Sequence, residues 1–524
     1  MRRIVPILRN PYLWLAVLAL AARLLPGPRT IDDAAITFRY ARNLLAGQGF
    51  VYNAGEAVLG TTTPLYTFLM AGLGALTGRT QAPFPELALW ANALADALTC
   101  LLLVRLAGRL VPEWGGRGLH PAAWAVGVAW AVAPFSVTFA IGGMETSVYV
   151  LLLTGMALAA LEERHVLAAL LGALALLTRP DALILVGPLA AVRALTLLFS
   201  PSSRRTWWKE ALVFALPVLA WGIFATLTFG SPLPHSLAAK VAAYRLEPLD
   251  ALIRLIQHYA TPFMEQDVLG SAVAVGLGLL LYPLLAVLGA RRAWKALAPR
   301  SLALRVTALA WMLYPLLYFI TFSAANPLIF RWYLTPPLPA YLMLILLGLE
   351  AVLQRLASAR PSLRAVLGAL LFVLALLPVA GEWRLHPDHG PDRPAPEMAF
   401  IRLELLYRQA AESLAPGMDV HTLLAAGDVG MLGYYTPARI LDTVGLNSPE
   451  SSRYYPLPAE DYAINYAIPA ALVLDLKPQY VVILEVYGRN TLLRDARFTQ
   501  AYRLVEKLPT DLYGSDGLLI FQAR

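Results

Sequence analysis

Polar and apolar positions along this chain separate into long blocks instead of alternating, and the blocks set its architecture. Twelve apolar segments run approximately over 11–26, 64–78, 86–106, 121–140, 144–161, 165–178, 181–199, 210–230, 268–290, 301–322, 332–353 and 363–381. Most are long enough to cross, or nearly cross, a bilayer core of about 30 Å. From Glu382 onward the blocks stop and a mixed sequence rich in Pro, Tyr and Asp follows. There 395–414 has the spacing of an amphipathic helix, and 420–426, 439–442, 480–485 and 518–522 read as short strands. The pattern predicts a polytopic α-helical membrane domain over residues 1–381 and a soluble extracytoplasmic α/β domain over 382–524.

Composition agrees with the blocks. The 524 residues are 58% hydrophobic and 15% charged, with a mean hydropathy of +0.59, too apolar for a soluble chain. A formal net charge of +8 does not imply nucleic acid, because Lys and Arg gather in short links between apolar blocks, as in cytoplasmic loops of membrane proteins. The basic start followed by the 11–26 block reads as an uncleaved first transmembrane helix with its amino end in the cytoplasm. Cys100 is alone, so no intrachain disulfide can form.

Parity then fixes topology. The links with Arg105, Arg109 and Arg117, with Arg204, Arg205 and Lys209, with Arg291, Arg292, Lys295 and Arg300, and with Arg355, Arg360 and Arg364 all belong inside. They agree with a cytoplasmic amino terminus only if one block fails to span. The 64–78 block is the weakest candidate, short, with Pro at its start and Gly at its end, so it is expected along the outer interface, within a first external loop over 27–85. About eleven spans remain. Their outer ends collect Asp32, Asp33, Glu56, Glu145, Arg179, Asp181, His235, Lys240, His258 and Arg331.

The first loop carries the densest chemistry. After Asp32 and Asp33, the residues Ile36, Phe38, Ala41, Leu44 and Leu45 recur at helical spacing, with Arg39, Arg42 and Asn43 on another side and Gly47 at the end. This describes an amphipathic helix lying in the interface. One reading makes Asp32 its N-cap and Asp33 a first-turn residue favoured by the helix dipole. The other makes one of the pair a general base, held beside hydrocarbon and within about 3 Å of an acceptor hydroxyl. Glu56 and the hydroxyl run Thr61, Thr62 and Thr63 follow in the same loop.

Lys240 and Arg331 are candidates to neutralise a phosphate, Lys as a point charge and Arg as a fork; the competing reading is that both snorkel to headgroups. Arg179 and Asp181 flank Pro180 and are read either as a local pair or as cavity lining, and Glu145 as a helix cap or a ligand contact. Asp96 falls mid-span, where a carboxylate marks either function or a hydrogen bond between helices. His258 is expected at the surface. No nucleotide-sugar signature, phosphate loop or metal-spaced His/Cys cluster occurs, although a carboxylate-rich loop leaves room for a divalent cation.

Asp32-Asp-Ala-Ala-Ile-Thr-Phe-Arg-Tyr-Ala-Arg-Asn43, Gly49-Phe-Val-Tyr-Asn-Ala-Gly-Glu56 and Thr61-Thr-Thr-Pro-Leu-Tyr66 together resemble the first external loop of the GT-C membrane glycosyltransferases. The likeness is strongest to their terminal arabinofuranosyltransferase branch. Gly143–Thr146, Leu177–Asp181, Pro232–Lys240 and Gly427–Tyr435 resemble pieces of that branch in the same order. The resemblance implies an inverting transferase that moves a sugar from a polyprenyl-phosphate donor to a glycan or lipid-linked hydroxyl, at the outer face of the bacterial cytoplasmic membrane. It places the catalytic aspartate on Asp32 or Asp33 and the phosphate contacts on Lys240 and Arg331. Glu56, Glu145, Arg179, Asp181 and His235 become substrate contacts, and the carboxy-terminal domain helps hold the acceptor glycan. His235 stands where the branch has Asn, which leaves the donor sugar, pentose or hexose, open. A lipid-linked glycan transporter is the rival reading, but it calls for an internal repeat and midplane sites, and the polar residues here gather at one face.

Overall fold

The computed structural model describes residues 10–111, 121–199, 207–245, 248–325, 330–359, 364–385, 392–399 and 401–524. Arg117, Arg204, Arg205 and Arg360, used above for topology, lie outside the described residues. Among the described residues, six helices are long and apolar enough to cross a membrane: Phe84–Leu110, Pro180–Phe199, Trp207–Phe229, Ser271–Ala296, Leu302–Ser323 and Leu338–Leu356. A bent pair, Pro121–Val132 and Pro134–Ile141, makes up to seven, and Pro11–Leu24, Pro64–Leu76, Thr146–Leu161, His165–Thr178 and Gly368–Gly381 are shorter apolar helices. The expected block at 332–353 shifts, because Pro336 and Pro337 separate a short Arg331–Leu334 helix from the long Leu338–Ala359 helix.

Contacts divide the chain into two compact units, and their boundary differs from the one at 382 expected from the sequence. One comprises Met1–Arg29, Ala88–Leu219 and Pro248–Phe400; the other comprises Thr30–Leu87, Ala220–Glu247 and Ile401–Arg524. The first external loop and the residues around His235 therefore share a unit with the carboxy-terminal domain.

The first unit is helical. Ser271–Ala296 and Leu338–Ala359 lie backbone to backbone: a Cβ on Gly289 would stand 2.0 Å from the Leu344 carbonyl oxygen, and one on Gly348 1.9 Å from that of Leu285. Small residues permit such approach where no hydrophobic effect drives helices together in lipid. Pro134 bends the Pro121–Ile141 pair by 42°, since it has no N–H for the Trp130 carbonyl and its ring displaces that turn. Arg23, fully buried, collects the loosened carbonyls, donating to Ala131 O at 2.5 Å and Trp130 O at 3.4 Å. Its Nε pairs with Asp96 at 2.9 Å, and Asp96 also accepts from Trp130 Nε1 and Ser147 Oγ. Asp96 is thus a closed structural partner.

His258 corrects an expectation. It is buried, its Nε2 lies 2.8 Å from the Leu334 carbonyl, and its ring packs edge-on against Phe135. The Pro248–Ala260 helix turns this side chain inward with the apolar face.

The second unit is built on a five-stranded sheet. Its strands are β1 Leu423–Ala426, β2 Arg439–Asp442, β3 Tyr480–Leu484, β4 Tyr502–Leu508 and β5 Leu518–Ala523, in the order β2-β1-β3-β5-β4. β2 and β3 run parallel to β1, while β5 is antiparallel to β3 and β4 to β5. β4, with its run of exposed and half-buried residues, is the strand missing from the sequence reading.

Side-chain alternation sends Leu424, Ala426, Ile440, Val482, Leu484 and Ile520 to one face and Ala425, Leu441, Val481, Ile483, Leu519 and Phe521 to the other. Both faces are buried. The first is covered by the Arg402–Leu414 helix and by Ala35, Ile36, Tyr40, Phe50 and Tyr52 of the first loop, the second partly by Ala239 and Ala243 of the His235–Ala243 helix. Burying a large apolar side chain contributes about 1.5–3 kcal/mol, so the loop is part of this core.

Candidate active site

The Asp32–Leu45 helix forms as its spacing predicts, and Gly47 follows it in the left-handed region at φ +75. Its setting differs from the expected interfacial one. Polar residues are enclosed together with apolar ones: Arg39 and Asn43 are buried alongside Phe38, Tyr40 and Ala41.

Asp32 does not cap its own helix. Ile31 holds the N-cap backbone conformation, so Asp32 is the first helical residue and its carboxylate is free to reach elsewhere. It accepts the N–H groups of Gly430 at 2.8 Å and Met431 at 2.7 Å, the first two of the short Gly430–Tyr435 helix. Seven and ten residues further on, Arg39 and Arg42 donate to the other end of that helix, to Gly433 O at 2.8 Å and Tyr434 O at 2.7 Å. A carboxylate at the amino end and guanidinium groups at the carboxyl end are the charges a helix dipole favours. One helix therefore clasps a second, and only glycine lets them meet: a Cβ on Gly430 would stand 1.8 Å from the Asp32 carbonyl oxygen.

Asp33 is in a different position. It is half-buried and makes no hydrogen bond or ion pair among the described residues. Two acids absent from the sequence-derived set lie within its electrostatic reach. Asp428 lies just beyond the carboxyl end of β1; burial, with Asp33 adding, pushes its carboxyl up to about 6. Glu404, on the Arg402–Leu414 helix, is pushed up to about 7, first by burial and then by Asp428 and Asp33. Burial and Asp428 likewise raise Asp32 well above the ordinary carboxylate value, against the pull of its two backbone donors. No Lys or Arg pairs with any of these four acids among the described residues. The signal for Asp428 was its place in Gly427-Asp-Val-Gly430 directly after a strand, since ligands of open α/β sheets bind beyond the carboxyl ends of the strands.

The remaining candidates divide between the units. In this unit Glu56 pairs with Arg439 and accepts from Asn53 Nδ2, and Thr61 and Thr63 bond each other ahead of the Pro64–Leu76 helix. His235 opens the His235–Ala243 helix, its N–H donating to Leu59 O, and Lys240 lies half-buried on the same helix. In the helical unit Arg179 is buried between Glu145 at 3.3 Å and Asp181 at 2.9 Å, with the rings of Tyr149 and Tyr333 against its guanidinium. Tyr318 donates to Asp181. Arg331, at the start of its short helix, is exposed. Among the described residues no group of three or more His, Cys, Asp or Glu is placed to hold a metal ion.

Solved structures match this chain over most of its length. ArnT from Cupriavidus metallidurans, crystallised with undecaprenyl phosphate, aligns at a TM-score of 0.56 and 14% identity over 97% of each chain. The chain has the GT-C glycosyltransferase fold. The archaeal oligosaccharyltransferase AglB from Archaeoglobus fulgidus, solved with an inhibitory peptide and a dolichol-phosphate, shares that GT-C fold at a TM-score of 0.52 and 11% identity, over 92% of this chain and 71% of its own. In sequence, this chain is 34% identical over 254 residues to the terminal β-(1→2)-arabinofuranosyltransferase of Mycobacterium tuberculosis. That match spans 44% of this chain and 38% of that relative, well under half of its length. A family model described as a domain of unknown function, DUF8728, matches residues 399–521, the sheet-bearing part of the second unit.

Proposed function

We propose that this chain is an inverting glycosyltransferase that moves a sugar from a polyprenyl-phosphate donor to a hydroxyl of a glycan or glycolipid, at the outer face of the bacterial cytoplasmic membrane. The single observation that carries the reading is the unequal engagement of two neighbouring carboxylates. Asp32 is tied to Gly430 and Met431, while Asp33 is left open beside Asp428 and Glu404.

Asp33 is accordingly the base. It takes the acceptor hydroxyl proton as the oxygen bonds to the anomeric carbon, and the bond from that carbon to the phosphate oxygen breaks with its electron pair leaving on polyprenyl phosphate. One displacement with one base inverts the anomeric centre; retention by double displacement would need a nucleophilic carboxylate paired with an acid about 5 Å away. Asp32 is a positioning residue, and Lys240, on the His235–Ala243 helix of the same unit, neutralises the leaving phosphate. Glu56 and His235, of the same unit, contact the substrates.

The test uses purified full-length protein in lipid nanodiscs with a polyprenyl-phosphate pentose or hexose and an oligosaccharide acceptor. Product appears with its anomeric configuration opposite to the donor's by NMR, and Asp33→Asn abolishes it. A retained configuration, or full transfer by Asp33→Asn, would overturn the mechanism.

A further inference from the structure

Further along the Asp32–Leu45 helix the second unit contains a separate cavity of about 630 Å³. Its walls come from the first loop and from the segment 434–439, and Arg42, Asn43, Gln48, Gln81, Tyr434 and Arg439 supply most of the chemistry. Gln48, Gln81 and Arg439 are exposed. The side chains of Gln48 and Gln81 make no hydrogen bond among the described residues. Arg42 spends two N–H groups on Tyr434 O and Gly433 O, which leaves three of its five donors. Arg439 pairs with Glu56, and no carboxylate lines the cavity itself.

Planar amides and guanidinium groups that both fix and spare donors suit a polyol with many hydroxyls, and tyrosine rings suit the apolar faces of sugar rings. Three arginines in the walls, Arg39 among them, favour a negative substituent on such a ligand. An isoprenoid tail would find few apolar walls here, only Val420 and small residues such as Ala46, Ala54 and Ala82. Asp33 and Arg42 are nine positions apart on one helix, about 13 Å along its axis at 1.5 Å per residue and half a turn apart around it at 3.6 residues per turn, so an oligosaccharide joining the two must pass round the helix.

We propose that this cavity is a subsite for the acidic interior of the acceptor glycan, gripping a carboxylate- or phosphate-bearing sugar while the terminal hydroxyl reaches Asp33. The inference rests on the glycosyl-transfer reading only for its orientation; the binding itself needs no donor and no turnover. Full-length protein in nanodiscs is titrated calorimetrically with an oligosaccharide bearing uronate groups, with the same oligosaccharide bearing phosphate, with a neutral one of equal length, and with inorganic phosphate. Wild type and Asp33→Asn bind the charged oligosaccharides alike and at least tenfold more tightly than the neutral one. Gln48→Trp, which fills the cavity, and Arg439→Ala each weaken that binding at least tenfold with thermal midpoints unchanged.

Equal binding by the cavity variants and wild type would overturn the subsite. So would no preference for charge, no oligosaccharide binding at all, or recognition of inorganic phosphate alone. If binding follows the cavity variants while no donor supports transfer, the subsite stands and the catalytic reading falls.

Discussion

Two sets of enclosed acids, one in each unit, are treated in opposite ways. In the helical unit Asp96 has Arg23, Glu145 and Asp181 share Arg179, and Glu350 has Arg292, although Glu265 and Glu382 are buried there without a cation among the described residues. In the other unit Asp32, Asp33, Asp428 and Glu404 lie within electrostatic reach of one another, and among the described residues only the Asp32 carboxylate has hydrogen-bond partners, the N–H groups of Gly430 and Met431. Closed pairs in a low-dielectric interior fix a structure, because each charge satisfies the other. A group of acids without a cation is poised instead: Asp428 and Asp33 both raise the proton affinity of Asp32 and Glu404, and Asp33 raises that of Asp428. The difference separates acids that hold the fold from acids available for chemistry.

The largest expected break of this contrast is in the helical unit. Arg23→Met strands the Asp96 charge and loosens the carbonyls near Pro134, and a broken buried pair costs about 3–5 kcal/mol; thermal unfolding in detergent should show a large fall. Arg23→Met combined with Asp96→Leu should recover much of it, because no charge is then left buried. Failure of the double variant to recover would mean that capping the Trp130 and Ala131 carbonyls matters more than the charge.

Next comes the clasp. Asp32→Ala removes two charge-assisted hydrogen bonds to the Gly430–Tyr435 helix, each worth about 1.5–3 kcal/mol, so it should loosen the sheet-bearing unit, seen as faster amide exchange at Gly430 and Met431. Asp32→Asn keeps an acceptor oxygen and should lose less.

The pH dependence sharpens the contrast further. Asp428 and Glu404 have folded values of about 6 and about 7, above their ordinary ones. The folded state therefore binds more protons than the unfolded chain between about pH 4 and 7, and stability falls as pH rises through that window. Asp428→Asn with Glu404→Gln should flatten the thermal midpoint across the same range. The smallest effect is expected at Arg42. Arg42→Ala leaves the Tyr434 carbonyl to water and should cost about 1 kcal/mol in chemical denaturation.

Much of this was legible in the sequence. Block hydropathy gave the apolar helices because lipid demands long uninterrupted apolar runs, though only six of the described ones, or seven with the bent pair, are long and apolar enough to cross against about eleven spans expected, and alternation gave four of the five strands of the larger sheet. β4 escaped because Arg503, Glu506 and Lys507 face solvent on an edge strand. The Asp-Asp pair was visible, but which acid is engaged was not. That depends on Gly430, almost four hundred residues away, whose missing side chain admits Asp32. Asp428 and Glu404 were hidden for the same reason, since only the folded sheet brings the ends of β1 and of the Arg402–Leu414 helix to the first loop. His258 was misread because a polar residue on a helix face carries no sign of the carbonyl waiting for it at Leu334.

The proposed mechanism turns on the inequality of Asp32 and Asp33, and the ratio of their single-variant turnovers tests it most directly. With both proteins folded in nanodiscs, Asp33→Asn should lose about 10²–10⁴-fold in kcat, the usual contribution of a general base, while Asp32→Asn keeps most of its rate. Asp33→Asn turning over as fast as wild type while Asp32→Asn is inactive at an unchanged thermal midpoint would contradict it.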